Sequence, residues 1–440
     1  MNRLGGFRRL RGLSLAMVAV PALALGASPD NGHLREVYDQ AVEYTSRIDF
    51  PPRIGGAGDP IRGQRAFGLS ADGTTIDPSE ALFTGVSVIA GPVQGNGRVC
   101  ATCHRPDPSL HLGLPPAPLS SSVPQDDPLF TGLAADTGPE PLGLPNFDNL
   151  ALLFHRPNRL NPLFSPDDPL RLVFVWRKTN RLINTVFTFG LLNDGRMREL
   201  VETTRNAVFT HTQDGDLRFD DLTDPQRLRD IAAFMESQID PPELADLLDA
   251  SAPLHDQLVT DPFYTVNTAT DLERRGQGVF QKNCMTCHNM PNVFSNRDHV
   301  DGPPLNRPPL YGHTFDIGVA ERNALKLEFR RFDPATGTRT PIVLHLANQE
   351  GATVDVTVVD DIGAAAATLR FEDLHRFKVP QLRRIKDLGP YFHDNSAATL
   401  EDVVDYFNGD DYNRSIDGRR YPIHLGSAER KALLAFLRVL

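Results

Sequence analysis

Apolar positions recur at helical spacing in several separated stretches of this 440-residue chain. Residues 33–47 carry Leu34, Val37, Ala41, Val42 and Tyr44 on one helical face, and Glu80 to Phe83, preceded by Asp77 and Ser79, read as a helix start. Helical tracts are predicted over 182–207 and 225–237, the latter ended by Pro241 and Pro242, and over a linker at 243–265. A short helix holding Gly276, Gly278 and Phe280 precedes Cys284, and helices at 399–407 and 427–440 close the chain. The pattern changes in 327–332, 341–346 and 352–359, where β-branched and aromatic residues between turn residues predict strands. From 106 to 169 proline is crowded and few stretches are periodic. Such a long irregular segment is uncommon unless it serves a purpose, such as covering a bound group.

Two five-residue stretches use all four cysteines: Cys100-Ala101-Thr102-Cys103-His104 and Cys284-Met285-Thr286-Cys287-His288. Cys-x-x-Cys-His is the covalent attachment signal for c-type haem, in which two thiols bond the vinyl groups and the histidine ligates iron. A thioredoxin-like dithiol needs no trailing histidine and sits in a βαβ setting that neither site has. One zinc on four thiolates leaves both histidines unexplained and joins pairs far apart in sequence. The repeat therefore predicts two covalently bound c-type haems, with His104 and His288 as iron ligands.

The N-terminus agrees with haem attachment after export. Arg3, Arg8, Arg9 and Arg11 precede a short apolar run from Leu13 to Leu25, and Ala24, Gly26 and Ala27 offer a cleavage site, so 1–27 reads as a signal peptide. The expected location is periplasmic or secreted, with no membrane span in the mature protein. Removing four arginines and no acid takes the formal charge from -11 to -15. That balance disfavours nucleic acid and suits attraction to a basic redox partner, or plain solubility.

Near the C-terminus the chain resembles a known family. Phe377-Lys378-Val379-Pro380-Gln381-Leu382-Arg383, Gly389-Pro390-Tyr391-Phe392-His393-Asp394 and Thr399-Leu400-Glu401-Asp402-Val403-Val404 are similar to the signature of bacterial di-haem cytochrome c peroxidases and MauG-like enzymes. Residues 177–184 and Asn193-Asp194-Gly195-Arg196 resemble two further segments of that family, while 106–170 and 326–370 look like insertions. The resemblance implies a mainly α fold of two cytochrome c-like haem domains with long loops. The first, 28–242, would hold the peroxide-reactive haem on His104, and the second, 243–440, the electron-relay haem on His288 and a small β insertion at 326–370. It also implies reduction of hydrogen peroxide by electrons from a small c-type cytochrome or cupredoxin, and pairing into a homodimer. MauG-like oxidation of a partner protein and oxygenation of an organic polymer are alternatives within the family. An electron-transfer cytochrome without catalysis stays open as a separate class.

Several positions depart from the family's pattern. The relay-haem ligand position falls on Phe407, which cannot bind iron, and Tyr406 beside it is the candidate metal ligand. The family's distal carboxylate falls on Gln213, with His211 two residues earlier as the better proton shuttle. His211, Gln213 and Arg196 form the candidate catalytic set. His111 and His155 are candidates for a histidine parked on the first iron. Asn193 stands where the family has a tryptophan between the haems, and the only tryptophan is Trp176. Lys178 replaces an asparagine of the family's calcium site, and its ammonium suits the cation's place, so a bound calcium is doubtful.

Overall fold

The computed structural model describes residues 57–71, 86–88, 91–93, 99–105, 152–155, 173–211, 225–296, 305–307, 310–322, 330–333, 338–341 and 343–440. The helices expected at 33–47 and 80–83 lie outside these residues. Those described are α1 Pro60–Phe67, α2 Cys100–Cys103, α3 Leu200–His211, α4 Pro225–Glu236, α5 His255–Thr260, α6 Asp271–Asn283, α7 Val319–Arg322, α8 Ala365–Thr368, α9 Leu400–Phe407, α10 Asp410–Arg414 and α11 Ser427–Leu437. Every sheet among the described residues is a two-stranded antiparallel pair, so the chain is mainly helical.

Local chemistry fixes the helix ends. Asp59 caps α1, its carboxylate accepting from the Ile61 and Arg62 amides at 2.9 and 3.2 Å, and Pro60 sits where a helix needs no N–H. Thr270 with Glu273 and Thr399 with Asp402 form reciprocal capping boxes at the starts of α6 and α9.

The two halves repeat one another at an offset of 200 residues. The 3₁₀ turns Thr185–Phe187 and Ile385–Asp387 correspond, as do the bridges Leu191–Met197 and Tyr391–Ala397 and the helix starts at Leu200 and Leu400. Left-handed residues recur in the same places: Asn184 and Arg384 (φ 59° and 55°), Leu192 and Phe392 (67° and 66°), Gly195 and Asn395 (73° and 59°). These positions correct the helical tract expected over 182–207. A left-handed residue ends a right-handed helix, so residues 182–199 form turns and α3 begins only at Leu200.

Each half is braced by one crossing helix pair, α1 on α4 and α6 on α11. A Cβ on Gly63 would lie 1.9 Å from the Asp230 carbonyl oxygen, and one on Gly276 1.9 Å from that of Ala432. Both crossings thus need backbone-to-backbone contact that only glycine permits. Phe67 packs on Phe234 (centroids 5.2 Å apart) in the first pair, and Phe280 on Phe436 (5.3 Å) in the second.

Among the described residues, the hydrophobic core includes three clusters. One surrounds the first cysteine motif with Phe67, Val99, Ala101, Leu228 and Phe234. A second surrounds the other motif with Phe280, Met285, Phe294, Tyr406, Tyr412 and Phe436. In a third, Val186 and Phe187 pack with Leu244, Leu258, Met290 and Val293.

Strands appear where expected, and elsewhere too. Arg330–Asp333 pairs with Thr338–Pro341, and Val343–Ala347 with Thr353–Thr357. The 341–346 stretch is therefore divided between two hairpins. Leu152–His155 pairs with Val173–Trp176, which places a strand inside the segment read as irregular. Leu305–Arg307 with Leu310–Gly312, and Thr314–Phe315 with Phe377–Lys378, are further pairs too short to leave a periodic signal. The linker at 243–265 is two short pieces, a 3₁₀ helix Pro242–Leu248 and α5, joined by turns.

Candidate haem sites and the seam between the halves

Each Cys-x-x-Cys-His motif lies beside its half's helix pair. In the first, the His104 amide donates to the Cys100 carbonyl at 2.8 Å; in the second, His288 does the same to Cys284 at 2.9 Å. This one-turn loop carries the histidine back beside its cysteines. An aromatic residue of the bracing helix lies near each ring, Phe67 at 5.9 Å from His104 and Phe280 at 6.5 Å from His288. Burial pushes the thiols of Cys100 and Cys284 up to about 12.

The residues at the second motif fit a haem iron. His288 Nδ1 lies 2.8 Å from the Phe294 carbonyl, which makes Nδ1 the donor and Nε2 the nitrogen able to bind a metal. Burial pushes this imidazole down to about 4, against the pull of the Phe294 and Pro380 carbonyls and with help from the Arg181 charge. At neutral pH it is the uncharged ligand form.

The halves meet through paired, reciprocal contacts. The Lys178 amide donates to the His393 carbonyl at 2.5 Å, and the Lys378 amide to the Asn193 carbonyl at 2.9 Å. One step further along, the Arg181 guanidinium donates to the Arg383 carbonyl and the Gln381 amide to that of Ile183 at 2.7 Å. Both pairs obey the 200-residue offset, so a local two-fold relation runs through the seam.

Buried charge reinforces it. Arg177, 2% exposed, makes a bidentate pair with Asp361 at 2.7 and 2.8 Å and a further bond to Asp194 at 2.6 Å. Burial works against the Arg177 charge, but the two carboxylates more than compensate and hold it well above its ordinary value. Burial likewise opposes the Asp361 charge, and Arg177 still holds that carboxyl below 3.8. Asp361 follows the strand Thr353–Thr357, so the β insertion supplies a carboxylate to the first half's arginine.

The expected site residues are distributed unevenly. Arg196 is anchored, Nη1 to Asp194 Oδ2 at 2.5 Å, and burial lowers its guanidinium. His211 is the last residue of α3, while Gln213 and His111 lie outside the described residues. His155 ends its strand. Asn193 Nδ2 donates to the Lys178 carbonyl at 3.2 Å. Tyr406 is buried, and its hydroxyl donates to the Ile317 carbonyl at 2.6 Å; burial raises its pKa. Phe407 packs on Tyr412 at 4.9 Å.

The calcium of the resembled family does not fit here. Lys178 Nζ contacts the Leu388 and Pro390 carbonyls directly and lies 5.7 Å from the Tyr391 ring. An ammonium thus occupies the carbonyl cradle that a hard cation would need. Asp316, Glu321 and His375 also bring possible ligand atoms within 4.8 Å of one another. Both nitrogens of His375 already face carboxylates, Asp360 at 2.9 Å and Glu321 at 3.3 Å, so this is an ion-paired histidine.

Sequence reasoning missed the Arg177–Asp361 pair and the role of Arg181. Their partners lie about 200 residues away, and only the doubled segment at 177–200 and 377–400 signals that they meet.

No protein-family model matches the chain. Among curated proteins, the cytochrome-c peroxidase IdrP2 of Denitromonas iodatirespirans is 27% identical over 173 residues, 39% of this chain and 40% of that protein. The cytochrome-c peroxidase IdrP1 of a Pseudomonas species is 23% identical over 287 residues, 60% of this chain and 68% of that protein. The methylamine utilization protein MauG of Methylorubrum extorquens is 37% identical over 67 residues, 15% of this chain and 19% of MauG. The chain thus spans about two fifths of the first of these relatives. Solved structures with a likeness include a MauG-like protein associated with microbial copper homeostasis (TM-score 0.46, 16% identity, 90% of this chain and 93% of that one) and the diheme peroxidase BthA of Burkholderia thailandensis (0.44, 18%, 90% and 88%). Over parts of its length the chain is thus similar to cytochrome-c peroxidases and to MauG.

Proposed function

We propose that the chain is a di-haem c-type oxidoreductase that reduces hydrogen peroxide to two waters, consuming two electrons and two protons. Cys100, Cys103 and His104 would hold one haem, and Cys284, Cys287 and His288 the other. The observation that carries this reading is the duplicated frame, in which both motifs lie beside matching helix pairs and aromatic rings.

A bound c-type haem would supply a redox-active iron able to exchange electrons with peroxide. The chain's own residues do the rest. His288 presents Nε2 because the Phe294 carbonyl holds Nδ1. Arg177, Asp361 and Asp194 lock the halves so that electrons can pass between fixed centres. His211 is the proposed proton carrier of the first site, with Gln213 two residues later and Arg196 fifteen residues earlier completing the proposed set.

Electrons would come from a small c-type cytochrome or a cupredoxin. The location proposed is the periplasm, reached by the signal at 1–27; no helix among the described residues is long and apolar enough to cross a membrane. Domains 28–242 and 243–440 each carry one motif. A second reading, MauG-like oxidation of a partner protein, is favoured by Tyr406 and Phe407, which leave the second site without a methionine at the relay position.

Peroxide-dependent oxidation of a reduced small c-type cytochrome by the purified, haem-loaded protein tests the proposal. Sustained turnover is the expected result. A haem spectrum that responds to peroxide without consuming the donor favours the second reading, and an unresponsive spectrum leaves the electron-transfer cytochrome.

A further inference from the structure

We propose that Arg181 and Lys378 form a carboxylate-binding site at the seam, and that it takes the two propionates of the haem held by Cys284, Cys287 and His288. The inference rests on the haem reading of that motif.

Arg181 belongs to the first half but reaches into the second. One of its nitrogens, Nη1, donates to the Arg383 carbonyl, while Nη2 is buried without a hydrogen-bond partner. No carboxylate among the described residues pairs with it. A buried guanidinium with an unused donor is costly, and a bidentate arginine matches the geometry of a carboxylate. Arg177, only four residues earlier, shows the satisfied alternative with its two aspartates.

Lys378 stands in the same seam, its backbone bonded to Asn193, and its ammonium has no ion-pair partner among the described residues. Asp194, whose charge acts on it, already binds Arg177 and Arg196. Burial pushes the Lys378 ammonium down to about 7, with Asp194 resisting and Arg181 adding to the fall. Burial also brings the Arg181 guanidinium down to about 9. Arg177 and Arg196 are matched by Asp194 and Asp361, which leaves Arg181 and Lys378 without a paired carboxylate among the described residues. A ligand bearing two carboxylates balances that excess, and haem carries two propionates.

Position links the pair to the second motif. Arg181 donates to the Arg383 carbonyl, and the adjoining Leu382 amide donates at 3.2 Å to the carbonyl of Val293, next to Phe294, whose carbonyl holds His288 Nδ1. The equivalent position in the other half is Gln381, which makes the matching carbonyl bond without a charge. The positive site is thus built once across a two-fold frame, and it raises the potential of one haem more than the other.

The test uses the holoprotein and its R181Q, R181K and K378M variants. Haem content per chain checks the underlying reading: a wild-type chain without covalent haem overturns that reading itself. Redox titration with both haems attached should show R181Q shifting the reduction equilibrium of one haem about tenfold toward the oxidised form, ~59 mV for one electron. R181K should recover most of the shift, and K378M should move the same haem in the same direction. The propionate-bending band in the resonance Raman spectrum should shift in R181Q, a change that charge acting at a distance does not produce. Two attached haems with unchanged potentials, or a potential shift with an unmoved propionate band, overturn the proposal. If R181Q does not accumulate, R181K and K378M decide it by the same two readouts.

Discussion

The backbone amide of Lys178 donates to the carbonyl of His393 at 2.5 Å, and the exchange is returned 200 residues on, from Lys378 to Asn193. Two halves bonded by equivalent residues in both directions hold their cysteine motifs in related positions. That is an arrangement suited to passing electrons between two fixed centres.

The buried pair Arg177–Asp361 should be a large contributor to that union. Removing one partner leaves the other charge buried and unmatched, so D361N should cost about 3–5 kcal/mol in chemical denaturation of the holoprotein. The Asp361 carboxyl is held below 3.8, so its contribution is present above that pH and lost as pH falls through the lower folded value. D361N should therefore flatten the acid limb of the stability profile. An unchanged acid limb would place the pair outside the stabilising network.

Lys178 in the carbonyl cradle of Leu388 and Pro390 makes calcium unnecessary. Metal analysis should find no tightly held calcium, and a chelator should leave the melting temperature in place. K178M should cost about 1–3 kcal/mol, since two carbonyls lose their donor. One calcium held per chain in the wild type would contradict the assignment.

Gly276 and Gly278 offer a comparison within one helix, α6. G276A drives a methyl into the Ala432 carbonyl and should destabilise by about 1–3 kcal/mol. G278A meets nothing within 4 Å and should stabilise by roughly 0.5–1 kcal/mol through helix propensity. Thermal melts of the two variants should move in opposite directions.

Tyr406 was a candidate iron ligand, and its hydroxyl is hydrogen-bonded to Ile317. Y406F should cost about 1 kcal/mol and leave the absorption spectrum of the holoprotein unchanged. A changed spectrum would make the tyrosine a ligand after all.

Much of this was legible in the sequence, and the reasons for the rest are physical. The capped helices α6, α9 and α11 and the haem motifs announce themselves through local pattern, because caps and apolar faces are short-range features. Residues 182–199 misled, since Leu182, Val186 and Leu191 mimic a helical face while Asn184 and Leu192 turn the backbone left-handed. Nothing local distinguishes such residues from helical ones when neither is glycine. Arg181 and Asp361 were passed over because their meaning lies in partners that only the folded seam supplies. Lys178 was readable because the resemblance marked its position as a cation site.

The most direct test of the account is the intact mass of the purified chain under denaturing conditions, where only covalent groups remain. Two haem adducts are predicted in the wild type, and one in C100A/C103A or C284A/C287A. A wild-type chain that carries no adduct, or keeps both after either pair is removed, would contradict it.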